Sequence, residues 1–262
     1  MCIRDSFGMI CRLPNNILHK HALNIFNSRT ISAQSWFHQI RDLCVMYNLP
    51  HPLQLLNFPA SKLKFKKMVK KCVINYWEQK LRAEAIPLPS LHFFNSNFMS
   101  LAKIHPMWST AGCSPAKVAM ATIQAQMVSG RYRTEYLCRH WSKNKAGVCL
   151  LSEGCKTVLD DLHHILLFCP ALQPIRDKLV NFTISYCDRL PHQLGTAILT
   201  FLVPTHPLYC QFLVDCSPIA EVISLVQTYG RDSLTHLFHI TRTWCYSLHR
   251  ERLKMLGRWN FI

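Results

Sequence analysis

From residue 149 to residue 169 the chain reads Cys-Leu-Leu-Ser-Glu-Gly-Cys-Lys-Thr-Val-Leu-Asp-Asp-Leu-His-His-Ile-Leu-Leu-Phe-Cys. Cys149 and Cys155 flank a short polar loop, whereas His164 and Cys169 lie on an apolar, helix-forming run that stops at Pro170. Two ligands from a turn and two from a following helix suit a tetrahedral ion, and three thiolates with one neutral imidazole favour zinc over hard cations. The spacing therefore predicts a zinc knuckle with these four ligands.

Two alternatives to this zinc site stay open. Five residues separate the first two cysteines, whereas two to four are usual in zinc sites, so the same pattern is also compatible with buried thiols and a core histidine. In addition, His163 precedes His164 and can supply the imidazole in its place.

Charge and cysteine content restrict the class of protein. The chain has 262 residues, with 30 Lys and Arg against 14 Asp and Glu, which leaves a net charge of +16. Such an excess predicts a polyanionic partner, because cations that neutralise phosphates release counterions, and it argues against an ordinary metabolic enzyme with a small-molecule substrate. Thirteen cysteines, an odd number, favour a reducing compartment over a disulfide framework.

The cysteine content predicts an intracellular protein, and the expected binding to nucleic acid favours the nucleus. The most hydrophobic region, residues 197–229, is interrupted by prolines and acidic residues, so no apolar run reaches the roughly 18 residues that a membrane span requires. We therefore expect no membrane partner.

Helical periodicity dominates the chain, and strand alternation is scarce. The sequence predicts an all-α fold, an irregular helical assembly around the knuckle. It divides into a basic helical region at 7–142, the knuckle at 143–172 and a C-terminal helical region at 173–262. The predicted helices cover residues 14–26, 33–47, 61–85, 114–127, 135–141, 174–186, 194–202, 208–214 and 232–256.

Two groups of basic residues are candidates for phosphate contact. One lies on a single face of the 61–85 helix, opposite Phe65 and Val69, and the other precedes the knuckle, with Tyr132 and Tyr136 available for stacking. The alternatives are a solvated helix face for the lysines and pairing with Glu135 for the arginines. The candidate residues are Lys62, Lys66, Lys67, Lys70, Lys71, Arg131, Arg133 and Arg139.

Six blocks of sequence together resemble the region after the polymerase in non-LTR (LINE-type) retrotransposon reverse transcriptases, and the resemblance runs from about residue 8 to the end. The blocks are LPHPLQLL (49–56), VINYWE (73–78), FMSL (98–101), WSTAG (108–112), SGRYRTE (129–135) and HHILLFCPAL (163–172). In that family a Ser-Gly-Arg-Tyr-Arg-Thr-like helix start precedes a Cys-Cys-His-Cys knuckle. The resemblance places that knuckle on Cys149, Cys155, His164 and Cys169, and implies a zinc-binding segment that grips template RNA or target DNA for an upstream polymerase.

Catalysis by this chain itself is not expected. Polymerase chemistry requires paired carboxylates on a strand hairpin to hold two metal ions. The only Asp-Asp pair, Asp160-Asp161, leads directly into the run that carries His164, and we interpret it as a solvated helix N-terminus, where negative charge is favoured.

Two other hypotheses are compatible with these motifs. The chain could be a decayed, non-functional element copy, or a standalone zinc-dependent DNA-binding regulator. The first six residues, Met-Cys-Ile-Arg-Asp-Ser, match the translated end of a common transposase-based sequencing-library adaptor. We expect them to be an artefact and exclude them from the fold.

Overall fold

The computed structural model describes residues 21, 36–58, 60–95, 100–101, 103–141 and 146–257. Over these residues the fold is all-α, as predicted, and the only strand-like pairing is an isolated antiparallel bridge between Val148 and Leu159. The described α-helices are α1 (Trp36–Met46), α2 (Pro52–Asn57), α3 (Lys62–Ala85), α4 (Pro106–Ser109), α5 (Pro115–Val128), α6 (Glu135–Cys138), α7 (Gln173–Cys187), α8 (His192–Phe201), α9 (Tyr209–Val214), α10 (Ala220–Tyr229) and α11 (Arg231–Met255).

The predicted helix boundaries agree with most of the long helices and differ at short ones. The helix predicted to follow Thr134 and to reach about residue 141 begins there, since Thr134 accepts a hydrogen bond from the Leu137 amide, but it contains only the four residues of α6. The α10 helix was not among the predicted helices; Ile219 is its N-cap. Of the helix predicted at 14–26, only residue 21 is described, and it is helical; the other residues lie outside the described part of the chain.

The chain forms two compact units, residues 1–84 with 99–102, and residues 85–98 with 103–262. In the first unit, α1, α2 and α3 share a small core of Ile40, Cys44, Leu55, Phe65 and Val69. Since Phe65 and Val69 are the buried residues of α3, its lysines face solvent.

The second unit is built around α11, which packs against α5, α7, α9 and α10. Phe238 and Trp244 of α11 are fully buried, and the Trp244 indole donates a hydrogen bond of 2.9 Å to the Thr183 hydroxyl of α7. The α11 helix also contacts the two turns that follow His163. This packing fixes the position of the Cys149–Cys169 region against the main core.

In the part of the chain that the structure describes, the helices are too short or too polar to cross a membrane.

Candidate metal centre

The structure brings together the side chains of Cys149, Cys155, His164 and Cys169, one potential ligand atom from each. These atoms lie within 4.8 Å of one another. The sulfur atoms of Cys149 and Cys169 are 3.9 Å apart, close to the roughly 3.8 Å that zinc–sulfur bonds of about 2.3 Å give in a tetrahedron. Ligation of a single zinc ion would bring the most distant pair of these atoms roughly 1 Å closer together.

Burial and hydrogen bonding distinguish this cluster from ordinary core thiols. The three cysteines are no more than 1 % exposed and His164 is 5 % exposed. Among the described residues, neither ring nitrogen of His164 has a hydrogen-bond partner. Because a buried polar atom without a partner costs about 1–3 kcal/mol, an imidazole in this position fits a metal ligand better than a core histidine.

The chain positions His164 and Cys169 by a wide turn. Residues five apart on an α-helix point about 140° away from each other, since each residue turns 100°. His164–Phe168 instead form a π-type turn, in which the Cys169 amide donates to the His164 carbonyl over 2.7 Å. The predicted regular helix is therefore wrong at this point, and the wider turn allows both side chains to face the cluster.

A small hairpin and a 3-10 turn accommodate the long spacing between the first two cysteines. The Cys149 amide donates to the Val158 carbonyl, and Glu153–Cys155 form the turn. The Ser152 hydroxyl donates to the Cys155 sulfur over 3.2 Å, a contact that stabilises a thiolate.

His163 points away from the cluster. Its side chain is exposed and stacks on His92, with ring centroids 5.6 Å apart and planes 16° from parallel. Of the two neighbouring histidines, His164 is thus the one placed to bind metal.

Burial also sets the protonation states. It raises the pKa of the Cys149 thiol to about 12 and raises that of Cys169 as well. The pKa of His164 is lowered, chiefly by burial and also by the cation of Arg176, which keeps the imidazole neutral. A divalent ion would displace the thiol protons, so its binding should strengthen as the pH rises.

Two buried arginines connect the cluster to the helical core. The Arg176 guanidinium, 5 % exposed, donates to the carbonyls of Cys169 and Ile165. Arg252 of α11 forms an ion pair of 2.6 Å with Asp160, and both side chains are at least 97 % buried. These contacts hold the ligand-bearing turns in place.

The Asp160-Asp161 pair has two distinct structural roles. Asp161 accepts a hydrogen bond from the His164 amide at 2.8 Å, as expected near a helix start. Asp160 is 1 % exposed, so its interpretation as a solvated residue is wrong; besides Arg252, it accepts from the Glu135 amide at 2.6 Å. Of the two aspartates, Asp161 is thus partly exposed at the start of the helical turn, whereas Asp160 is buried and holds the knuckle against Glu135 and Arg252.

The basic residues separate by exposure. All five predicted lysines of α3 are exposed, as are Arg131 and Arg133, whereas Arg139 is half-buried and lies over the Tyr136 ring at 4.1 Å. Tyr132 is 3 % exposed and bonds to His249, so its predicted availability for stacking is wrong. The lysines and the arginines belong to different units.

Sequence reasoning missed Ser152, Arg176 and Arg252. Ser152 lies three residues before a predicted ligand, a spacing that could have suggested its hydrogen bond. Arg176 and Arg252 reach the knuckle from helices whose packing no local pattern reveals.

The chain was compared with protein-family models, curated proteins and solved structures, and none of them matches it.

Proposed function

We propose that this chain is a zinc-stapled, non-catalytic segment that binds nucleic acid, and that it belongs to the reverse transcriptase of a non-LTR retrotransposon. The buried thiols and the unpartnered imidazole support zinc as the ion, because soft sulfur ligands in a closed tetrahedral set are typical of structural zinc. The parent class is supported by the resemblance of the six sequence blocks.

The main support for nucleic-acid binding is that the basic segment before α6, residues 131–134, is hydrogen-bonded to residues next to the candidate metal centre. In the stretch before α6, Tyr132 and Thr134 are buried while Arg131 and Arg133 are exposed. Asp160, between two metal ligands in sequence, accepts from the Glu135 amide, and Arg252 donates to the Arg133 carbonyl over 3.0 Å. The knuckle would therefore orient two solvent-facing guanidinium groups, which suit phosphate oxygens.

The lysine face of α3 supplies a second cationic surface. Lys62, Lys66, Lys67, Lys70 and Lys71 are all exposed, and the net charge of +16 favours a polyanion. Contacts to phosphate give affinity without sequence preference. The segment would therefore position RNA or DNA without recognising the base sequence of a duplex.

Salt dependence tests the proposal. If roughly six phosphates are neutralised, a plot of log affinity against log salt concentration should have a slope near −4 to −5, at about 0.7–0.9 per contact. Changing Lys66, Lys67, Lys70 and Lys71 to Gln should flatten that slope and leave α3 folded, because Gln is nearly as good a helix former as Lys.

The matched control also removes four charges: it changes four exposed lysines of the second unit to Gln, namely Lys103, Lys117, Lys178 and Lys254. We expect a smaller change of slope from this control. A slope near zero in the parent protein would contradict nucleic-acid binding, and an unchanged slope in the α3 variant would show that its lysines are only solvated surface.

A further inference from the structure

A groove of about 560 Å³ lies beside the metal centre, inside the second unit. One wall is the stretch from Leu159 to His163, which links Cys155 to His164 along the chain. The other walls come from the Ser90–His92 turn and from the segment between Gly130 and His140. Its volume is within the roughly 300–1,000 Å³ of small-ligand sites.

Flat rings with polar edges line this groove. His92 and His163 form an exposed stacked pair, and Phe93, 4 % exposed, supports His163 with ring centroids 5.3 Å apart. Tyr136 and His140 also line the groove, and their rings meet edge to face at 5.7 Å. Rings of this kind offer flat faces on which a nucleobase can stack.

The charge around the groove favours an anionic ligand. The only carboxylate among its described lining residues is that of Asp161, which is already bonded to the His164 amide. Arg139 lies over Tyr136, and Arg131 and Arg133 are exposed on the segment that supplies Tyr132 and Thr134 to the lining. A ligand with flat rings on a phosphate chain complements this combination.

We propose that the groove accepts an unpaired nucleobase of a single-stranded nucleic acid, stacked against the His92–His163 pair, while the neighbouring arginines contact its phosphates. This inference rests on the proposed nucleic-acid binding and adds to it a preference for unpaired bases. Bases in a duplex are already stacked and paired, so they cannot enter without being flipped out.

The test compares two single-stranded oligonucleotides with the same number of phosphates, one carrying bases and one abasic. Dissociation constants are measured by fluorescence anisotropy at fixed salt, for the parent protein, for His92→Ala and for His92→Ala with His163→Ala. The control is His192→Ala, an exposed histidine outside the groove. Zinc content is measured for every variant, because His163 adjoins a ligand.

We expect the parent protein to prefer the base-bearing strand by at least about fivefold, as stacking of one base provides. His92→Ala should reduce this preference and the double variant should remove it, whereas affinity for the abasic strand and zinc content stay unchanged. Equal affinity of the parent for both strands, or a preference that survives in the double variant, would overturn the groove proposal and leave phosphate binding intact. Absence of binding to either strand would instead overturn the proposed function.

Discussion

At the scale of single residues, Arg176 is the clearest support of the metal centre from outside the ligand set. Its guanidinium bonds to carbonyls at both ends of the turn that carries His164 and Cys169, and Gln173 accepts from its Nε over 3.1 Å. Three thiolates, a neutral imidazole and a divalent ion would together carry a net charge of −1. Among the described residues, no carboxylate lies within ion-pair distance of Arg176. Its positive charge can therefore balance the site.

We accordingly predict that Arg176→Met weakens zinc affinity by about 10- to 100-fold, the usual effect of losing a residue that supports metal ligands. Competition against a chromophoric chelator measures the affinity. The matched control is Lys178→Met, which removes the same charge from an exposed position on α7. If both variants bind zinc as tightly as the parent, Arg176 contributes only to packing.

The candidate metal ligands could be predicted from the sequence, because all four lie within one short stretch of the chain. The spacing of Cys149, Cys155, His164 and Cys169 identified the group that the structure brings together. The burial of Asp160 and Tyr132 could not be predicted in this way, because it depends on Arg252 and His249 of α11, far along the chain. Tertiary contacts thus reversed the local expectation of solvent exposure.

At the scale of elements, the end of α5 and the start of the basic segment meet at Gly130. Its φ is +65°, and a Cβ there would lie 2.3 Å from the Ser90 carbonyl oxygen. A left-handed conformation costs an L-residue about 1–2 kcal/mol, and the clash with backbone adds roughly 1–3 kcal/mol. Gly112 has a similar φ of +61° with nothing within 4 Å of its Cβ position.

We predict that Gly130→Ala lowers the free energy of unfolding by about 2–5 kcal/mol, whereas Gly112→Ala lowers it by only about 1–2 kcal/mol. Urea denaturation of both variants, followed by far-UV circular dichroism, gives the comparison. Equal losses in the two variants would mean that the approach of Ser90 to Gly130 does not restrict the backbone.

Element boundaries were predictable where amphipathic periodicity continues over several turns, as in α3, α7 and α11. The π-type turn at His164–Phe168 could not be predicted, because its apolar residues fit a regular α-helix equally well. The wider turn is recognised only when His164 and Cys169 are seen to face the same cluster. The start of α10 carries no local signal, because its N-cap is Ile219, whose side chain cannot accept a hydrogen bond from the first turn.

At the scale of the whole molecule, the two units contribute different things to the proposed function. The first unit presents lysines from an amphipathic helix, and the second holds the cluster of potential metal ligands, the arginine segment and the groove. Ligation of a metal ion by the three cysteines and the histidine would stabilise the short turns of the second unit, which regular helices do not support.

Zinc stoichiometry is the most direct measurement of the central claim, that Cys149, Cys155, His164 and Cys169 form one structural zinc site. Native mass spectrometry of protein purified without chelators should give one zinc ion per chain. Cys169→Ser should lose the ion and locally unfold the knuckle, since a structural zinc is worth about 10 kcal/mol or more of folding free energy. Cys113→Ser, at an exposed thiol outside the cluster, should retain it. Parent protein without zinc, or a Cys169→Ser variant that still binds one zinc ion per chain, would contradict the account.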